Sequence, residues 1–274
     1  MCEDCLNRPC HSVIRRDVPD LGILRRIGAL FNPLPRLHDL NAIVFDLAVG
    51  GMESIIVVDD GSSAEGREAT EHLAEQGKAQ VFHREHNGGK GAAVKSGIAL
   101  AARKGFTHVL QIDGDGQHNL SDIPRFVEQA RLCPDALILG QPAFDTSAPF
   151  ARVWGRKLTN FWVHIETAGR VIGDPMCGFR VYPVAAALAV LPAANRMDFD
   201  PEIAVRLVWH GVKVLNLQTS VRYLTAEQGG VSHFQMGWDN VRITWMHTRL
   251  VFGALWRLLT GRRLRSEAWR ALTG

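Results

Sequence analysis

Residues 109–118 read Val109-Leu110-Gln111-Ile112-Asp113-Gly114-Asp115-Gly116-Gln117-His118, an apolar run that ends in two carboxylates separated by one glycine. A short buried strand that stops at Asp113 delivers two anionic side chains to the carboxyl edge of a sheet, where open α/β sheets bind their ligands. Carboxylates this close repel each other unless a cation lies between them, and hard divalent ions take oxygen ligands. The stretch therefore reads as a metal site facing a phosphate-bearing ligand. A polar Asp-Gly turn is the alternative, because such pairs are common in loops.

Working outward, short apolar runs alternate with amphipathic stretches, which is the pattern of βα units and a mainly parallel sheet flanked by helices. Strands are expected at 27–31, 54–59, 79–83, 108–112, 136–140, 180–182 and 213–217. Helices are expected at 37–49, 67–75, from the glycine turn at 87–91 to about 103, and from a Ser121 cap to Cys133. Further helices are expected at 153–167, from Pro183 onward, and from Asp198 to Trp209, where Pro201 suits a first helical turn. Three loops then share one sheet edge: Asp59-Asp60-Gly61-Ser62, Asn87-Gly88-Gly89-Lys90-Gly91 and the opening motif. Lys90 suits phosphate by its charge and by its place in a glycine-rich turn at a helix start. The turn is neither a Walker loop nor a dinucleotide fingerprint, since the spacing of both is missing.

These three loops, in this order and followed by Cys177-Gly178-Phe179-Arg180, resemble the family 2 glycosyltransferases over roughly residues 27–225. Within that family the likeness is to the dolichyl-phosphate mannose synthase and polyprenyl-phosphate sugar synthase branch. The resemblance implies a GT-A type, Rossmann-like α/β fold, a nucleotide-sugar donor, a divalent metal (Mg2+ or Mn2+), inversion at the anomeric carbon and a lipid-linked or other membrane acceptor. It also implies roles. Asp59 and Asp60 stand at the nucleoside, Asp113, Asp115 and Gln117 form the metal set, and Arg180 meets a phosphate, with a surface ion pair as its alternative. Asp115 thereby counts among the catalytic groups. Asp200 matches the acidic residue that many members use as general base, with Glu202 a weaker second. A hydroxyl acceptor needs such a base and a phosphate acceptor does not. Both acids could instead simply favour a helix N-terminus. The first strand departs from the family pattern. Its nearest match is Ala29-Leu30-Phe31-Asn32-Pro33, where Phe31 and Asn32 are the expected base contacts. That departure leaves open a non-catalytic nucleotide-sugar-binding module, and a nucleotidyltransferase would share the sheet and the carboxylates.

The chain has 274 residues with a formal net charge of +3, so its bulk charge does not point to nucleic acid. From Gly229 onward there are seven arginines, no lysine and two acids, with four of the seven tryptophans. Val241, Trp245, Phe252, Leu255, Trp256 and Leu259 fall on one helical face, with Arg242, Arg249 and Arg257 on a neighbouring stripe. That combination suits a helix lying in a membrane interface, and a helix packed on the domain with its arginines in solvent is the alternative. Gly229-Gly230-Val231-Ser232-His233 reads as a closing loop. The expected division is a tail at 1–24, a catalytic domain at 25–228 and a basic amphipathic segment at 229–274. The expected location is the cytoplasm, peripheral on the cytoplasmic face of the membrane. Five cysteines are an odd set for a disulfide framework, and Cys2, Cys5, Cys10 and His11 read as a tail more readily than as a zinc site.

Overall fold

The computed structural model describes residues 27–32, 54–114, 117–143, 150–169, 171–221 and 236–262. The elements run β1 (Ile27–Asn32), β2 (Ser54–Asp59), α1 (Ala64–Glu75), β3 (Gln80–His83), α2 (Lys90–Arg103), β4 (His108–Asp113), α3 (Ile123–Leu132), β5 (Ala136–Ala143), α4 (Phe150–Glu166), β6 (Arg180–Pro183), α5 (Val184–Ala189), α6 (Phe199–Trp209), β7 (Lys213–Ser220) and α7 (Met236–Leu259). The helix expected at 37–49, the cysteine-rich tail, Asp115 and the 229–233 loop lie outside the described residues.

Seven strands form one sheet in the order β3-β2-β1-β4-β6-β5-β7. The pairs β1–β2, β1–β4, β2–β3 and β5–β7 are parallel, and only β6 runs against its neighbours β4 and β5. The central strands are buried on both faces, so they read as continuous apolar runs rather than alternating ones. Their side chains still alternate between layers. Ile56, Val58, Val109, Leu137 and Tyr182 join a core that includes Val94, Ile98, Phe199, Ile203, Leu207 and Met246. Ile55, Val57, Leu110, Ile112 and Val181 join the other core, which includes Leu73, Ile123 and Phe126. Helices α1 and α3 therefore cover one face, while α2, α5, α6 and the packed pair α4–α7 cover the other.

Several boundaries differ from the expected ones for local reasons. Helix α1 starts three residues early because the Ser63 hydroxyl accepts from Gly66 N, supplying an N-terminal cap. Ser121 is not the cap expected before α3. Asn119 takes that part, its Oδ1 accepting from Ser121 N in a 3-10 turn at Leu120–Asp122 that leads into the helix. Strands β1 and β4 each run one residue further than expected, to Asn32 and Asp113, which are register partners. That extension holds Asp113 on the rigid end of a central strand rather than on a loop.

Helix α7 bears the expected apolar and arginine stripes. Its apolar stripe is exposed, with Val241, Trp245, Phe252, Leu255, Trp256 and Leu259 all on the surface. Arg249 and Arg257 of the arginine stripe meet the domain, whereas Arg242 pairs with Asp239 of its own helix. Arg249 Nη2 donates to Glu202 Oε2 at 3.3 Å, and Arg257 Nη2 donates to Trp209 O at 2.7 Å while lying over the Trp209 ring. Met246 and Leu250 are buried in the same core as the central strands. Within the expected 229–274 segment, α7 thus packs on α4 and on the main core. Helix α4 beside it exposes Trp154, Leu158, Phe161 and Ile165, spaced to share one face. No helix among the described residues is long and apolar enough to cross a membrane.

Candidate active site

Strands β1, β2 and β4 are parallel, so their carboxyl ends and the loops that follow open on one edge of the sheet. Strand β6 runs the other way and begins where those strands end, with Arg180 in register with Gln111 of β4. The reversal brings Gly178 and Arg180 to the same edge as Asp113.

Asp59, at the end of β2, accepts from Ser62 N at 3.0 Å, and its second oxygen lies 2.8 Å from His83 Nδ1. Burial pushes its carboxyl up, but these hydrogen bonds outweigh burial and hold it below the usual carboxylate value. Asp60 accepts from Gly88 N at 3.0 Å and Gly89 N at 2.6 Å, and Arg84 Nε lies 2.8 Å from it. Both acids expected at the nucleoside are nearly buried, and each has both oxygens engaged by the protein. Their evident work is to shape the turns, Asp60 by clamping the glycine loop.

That loop needs its glycines. Gly89 has φ +91°, and a Cβ there would lie 2.6 Å from Arg196 Cγ and 2.9 Å from Asn195 O. A Cβ on Gly91 would overlap Phe199. The close approach of α2 to α6 sets the Lys90 side chain between two carboxylates. Its Nζ lies 2.6 Å from Asp113 Oδ2 and 2.5 Å from Asp200 Oδ2. Burial alone lowers the affinity of Lys90 for its proton, but the two anions reverse that and raise it well above the ordinary value. Burial likewise raises the Asp113 carboxyl, and the charge of Lys90 more than offsets this, so Asp113 is held low. The Lys90 ammonium is thus enclosed between the carboxyl groups of Asp113 and Asp200.

Asp113 is seated from behind by Gly178, whose missing side chain makes the room, since a Cβ there would overlap the Asp113 carboxylate. Gln111 stands under the whole arrangement. Its Nε2 lies 3.4 Å from both Asp113 Oδ1 and Asp200 Oδ1, and its Oε1 accepts from the Tyr182 hydroxyl at 2.9 Å. Neither Gln111 nor Tyr182 is among the sequence-derived site residues. Their signal was a polar residue inside the apolar run of β4, and a buried amide requires partners.

Two expected roles are corrected by position. Arg180 is fully buried and does not face the open edge. Its guanidinium donates to Cys177 O and Pro175 O and, at 3.0 Å, to Asp200 O. It ties the 175–178 loop to the start of α6, which makes it a positioning residue rather than a phosphate contact or a surface ion pair. Glu202 is also buried, but it points away from Asp200. Two residues along a helix are separated by about 200°, so both cannot face one site. Glu202 pairs with Arg206 at 2.7 Å and with Arg249 of α7 at 3.3 Å, and so anchors the C-terminal helix.

Asp113, Lys90 and Asp200 are therefore brought together, with Gln117 half-buried beyond the end of β4. Phe31 and Asn32 stand at the end of β1, where Asn32 is in register with Asp113. The oxygen donors of Asp113 and Gln117 suit a hard divalent ion, and the enclosed ammonium demonstrates that this anionic place draws a cation. Among the described residues no group of three His, Cys, Asp or Glu side chains is gathered to hold a metal.

Comparison with known proteins matches residues 53–186 to the family model Glycosyl transferase family 2. An uncharacterized protein of Methanocaldococcus jannaschii is 28% identical over 181 residues, covering 61% of this chain and 76% of that one. The undecaprenyl-phosphate 4-deoxy-4-formamido-L-arabinose transferase of Pseudomonas fluorescens is 31% identical over 163 residues, covering 59% of this chain and 46% of the transferase. The chain thus spans about half the length of that transferase. Among solved structures, glucosyl-3-phosphoglycerate synthase from Mycobacterium tuberculosis, in complex with Mn2+, UDP-glucose and phosphoglyceric acid, aligns with a TM-score of 0.57. It covers 84% of this chain and 79% of the other at 17% identity, a likeness of fold. The fold is GT-A-like, and its antiparallel β6 refines the expected mainly parallel sheet.

Proposed function

We propose that this protein is an inverting glycosyltransferase that moves a sugar from a nucleotide-sugar donor to a lipid-linked, polyprenyl-phosphate-like acceptor at a membrane surface. The observation that carries the reading is the meeting of Asp113, Lys90 and Asp200 at the carboxyl edge of the sheet. In this reading the acceptor oxygen bonds to the anomeric carbon from the side opposite the donor diphosphate, as the bond from that carbon to the diphosphate oxygen breaks. Negative charge collects on the departing nucleotide, and Lys90 is placed to offset it. Asp113 and Gln117, together with Asp115, would hold Mg2+ or Mn2+. Such an ion supplies Lewis-acid stabilisation of the leaving diphosphate. Asp200 accepts a proton when the acceptor is a hydroxyl. With a phosphate acceptor no base is needed, and Asp200 then serves to hold Lys90.

The acceptor class is supported by the name of the Pseudomonas relative and by the exposed apolar faces of α4 and α7. A surface of this kind suits the edge of a bilayer, here its cytoplasmic face. The deciding experiment incubates the full chain with a panel of nucleotide sugars, polyprenyl phosphate and Mn2+ and identifies both products. A glycosyl lipid with free nucleoside diphosphate is the expected result. Release of inorganic diphosphate would instead mark a nucleotidyltransferase, and donor binding without turnover would mark a binding module.

A further inference from the structure

The contact of Lys90 with both acids has a consequence beyond charge balance. A divalent ion held by Asp113 would meet a carboxylate that the Lys90 ammonium already engages through Oδ2. Two cations held against one carboxylate repel each other. The lysine is also not held by Asp113 alone, since Asp200 Oδ2 grips it from α6. Its side chain belongs to the first residue of α2, directly after the positive-φ turn at Gly89.

We infer that Lys90 is the resident counter-ion of the donor site and competes with a divalent ion for Asp113. This rests on the glycosyltransferase reading and adds a residue-level event to it. Metal alone must compete with the lysine and binds weakly. A donor diphosphate offers the displaced ammonium a new anion, so metal and donor enter together. Lys90 in this account is a positioning residue before donor binding and a phosphate contact after it.

The test is Mn2+ binding to the full chain without nucleotide, followed by the electron paramagnetic resonance signal of free Mn2+, in wild type and Lys90→Met. The variant leaves two acids facing each other without their cation and is expected to bind Mn2+ tighter by on the order of tenfold. It is also expected to melt at lower temperature than wild type and to regain more stability from added Mn2+. Equal or weaker Mn2+ binding by Lys90→Met overturns the inference, as does an absence of Mn2+ binding in both proteins. A second measurement needs no variant. Acylation of Lys90 by an amine-reactive reagent, read by mass spectrometry against the exposed Lys78, is expected to rise when Mn2+ and inorganic diphosphate are added together. Unchanged protection of Lys90 overturns the inference. Product analysis on wild type is independent of these readouts, so glycosyl transfer can stand while the role of Lys90 falls.

Discussion

At the scale of single residues, the site depends on side chains that are absent or polar where the surrounding pattern asks for bulk and apolarity. Gly178 is the sharpest case, because a methyl group there would occupy the space of the Asp113 carboxylate. Gly178→Ala is expected to displace Asp113 and lower kcat by about a hundredfold, the scale of loss that follows a small misplacement of reacting groups. The measurement is steady-state kinetics beside a melting curve, and unchanged kcat in a folded variant would refute the assignment. Gln111 makes a second case. Gln111→Leu removes the amide that faces both Asp113 and Asp200 and also leaves the Tyr182 hydroxyl without its acceptor. It is expected to cost about 1–3 kcal/mol of stability and to lower kcat more than it raises KM. Thermal melts and kinetics on the same preparation check both parts.

At the scale of elements, α7 is fastened to the domain by polar contacts laid over an apolar seam. Glu202 of α6 receives Arg249, and Glu166 of α4 lies 2.7 Å from His247 Nδ1. Glu166 is fully buried, and burial pushes its carboxyl above the usual value against the opposing hydrogen bond with His247. An acid whose folded-state affinity for protons is raised contributes stability below its unfolded pKa, and that contribution is lost as pH rises through the folded value. Glu166→Gln keeps an acceptor for His247 and removes the charge. Relative to wild type it is therefore expected to gain stability as pH is raised from about 5 to 8, with the smallest difference at the acid end. Melting temperatures across that range test the sign, and a gap that narrows with rising pH contradicts it. Glu202→Gln is expected to lower the melting temperature by about 2–4 °C through loss of the Arg206 and Arg249 pairings, with kcat unchanged because Glu202 faces away from the site. Loss of kcat without loss of stability would return Glu202 to the catalytic set.

At the scale of the whole molecule, two helices present large apolar side chains to the outside while Glu166, His247, Arg249 and Arg257 make contacts inward. Trp245, Phe252 and Trp256 are each more than half exposed, and full burial of such side chains contributes about 1.5–3 kcal/mol apiece. The combined change Trp245→Ser, Phe252→Ser and Trp256→Ser is expected to reduce binding to anionic vesicles at least about tenfold while leaving the melting temperature nearly unchanged. Arg257→Gln is expected to do the opposite, because Arg257 holds Trp209 rather than a headgroup. Vesicle co-sedimentation beside thermal melts separates the two, and equal vesicle binding by the triple variant would remove the membrane assignment. Deleting α7 outright is a poor substitute, since Met246 and Leu250 lie in the main core.

What the amino-acid sequence by itself determined is the set of elements and the edge on which the chemistry stands. Buried strands of a parallel sheet are continuous apolar runs, and their ends are marked by residues that cannot continue them. Val57-Val58-Asp59-Asp60 and Leu110-Gln111-Ile112-Asp113 state both facts locally. What only the tertiary structure decided is the direction in which each charged side chain points. Arg180 and Glu202 are drawn inward by partners far along the chain, at Asp200 and Arg249. Lys90 is caught between acids that lie 23 and about 110 residues away. The periodicity of α7 was legible, but which of its two faces meets the core was not. That choice follows from Glu202, Glu166 and Trp209 waiting on other helices. Local pattern encodes backbone form, whereas the pairing of charges depends on distances that exist only once the sheet has assembled.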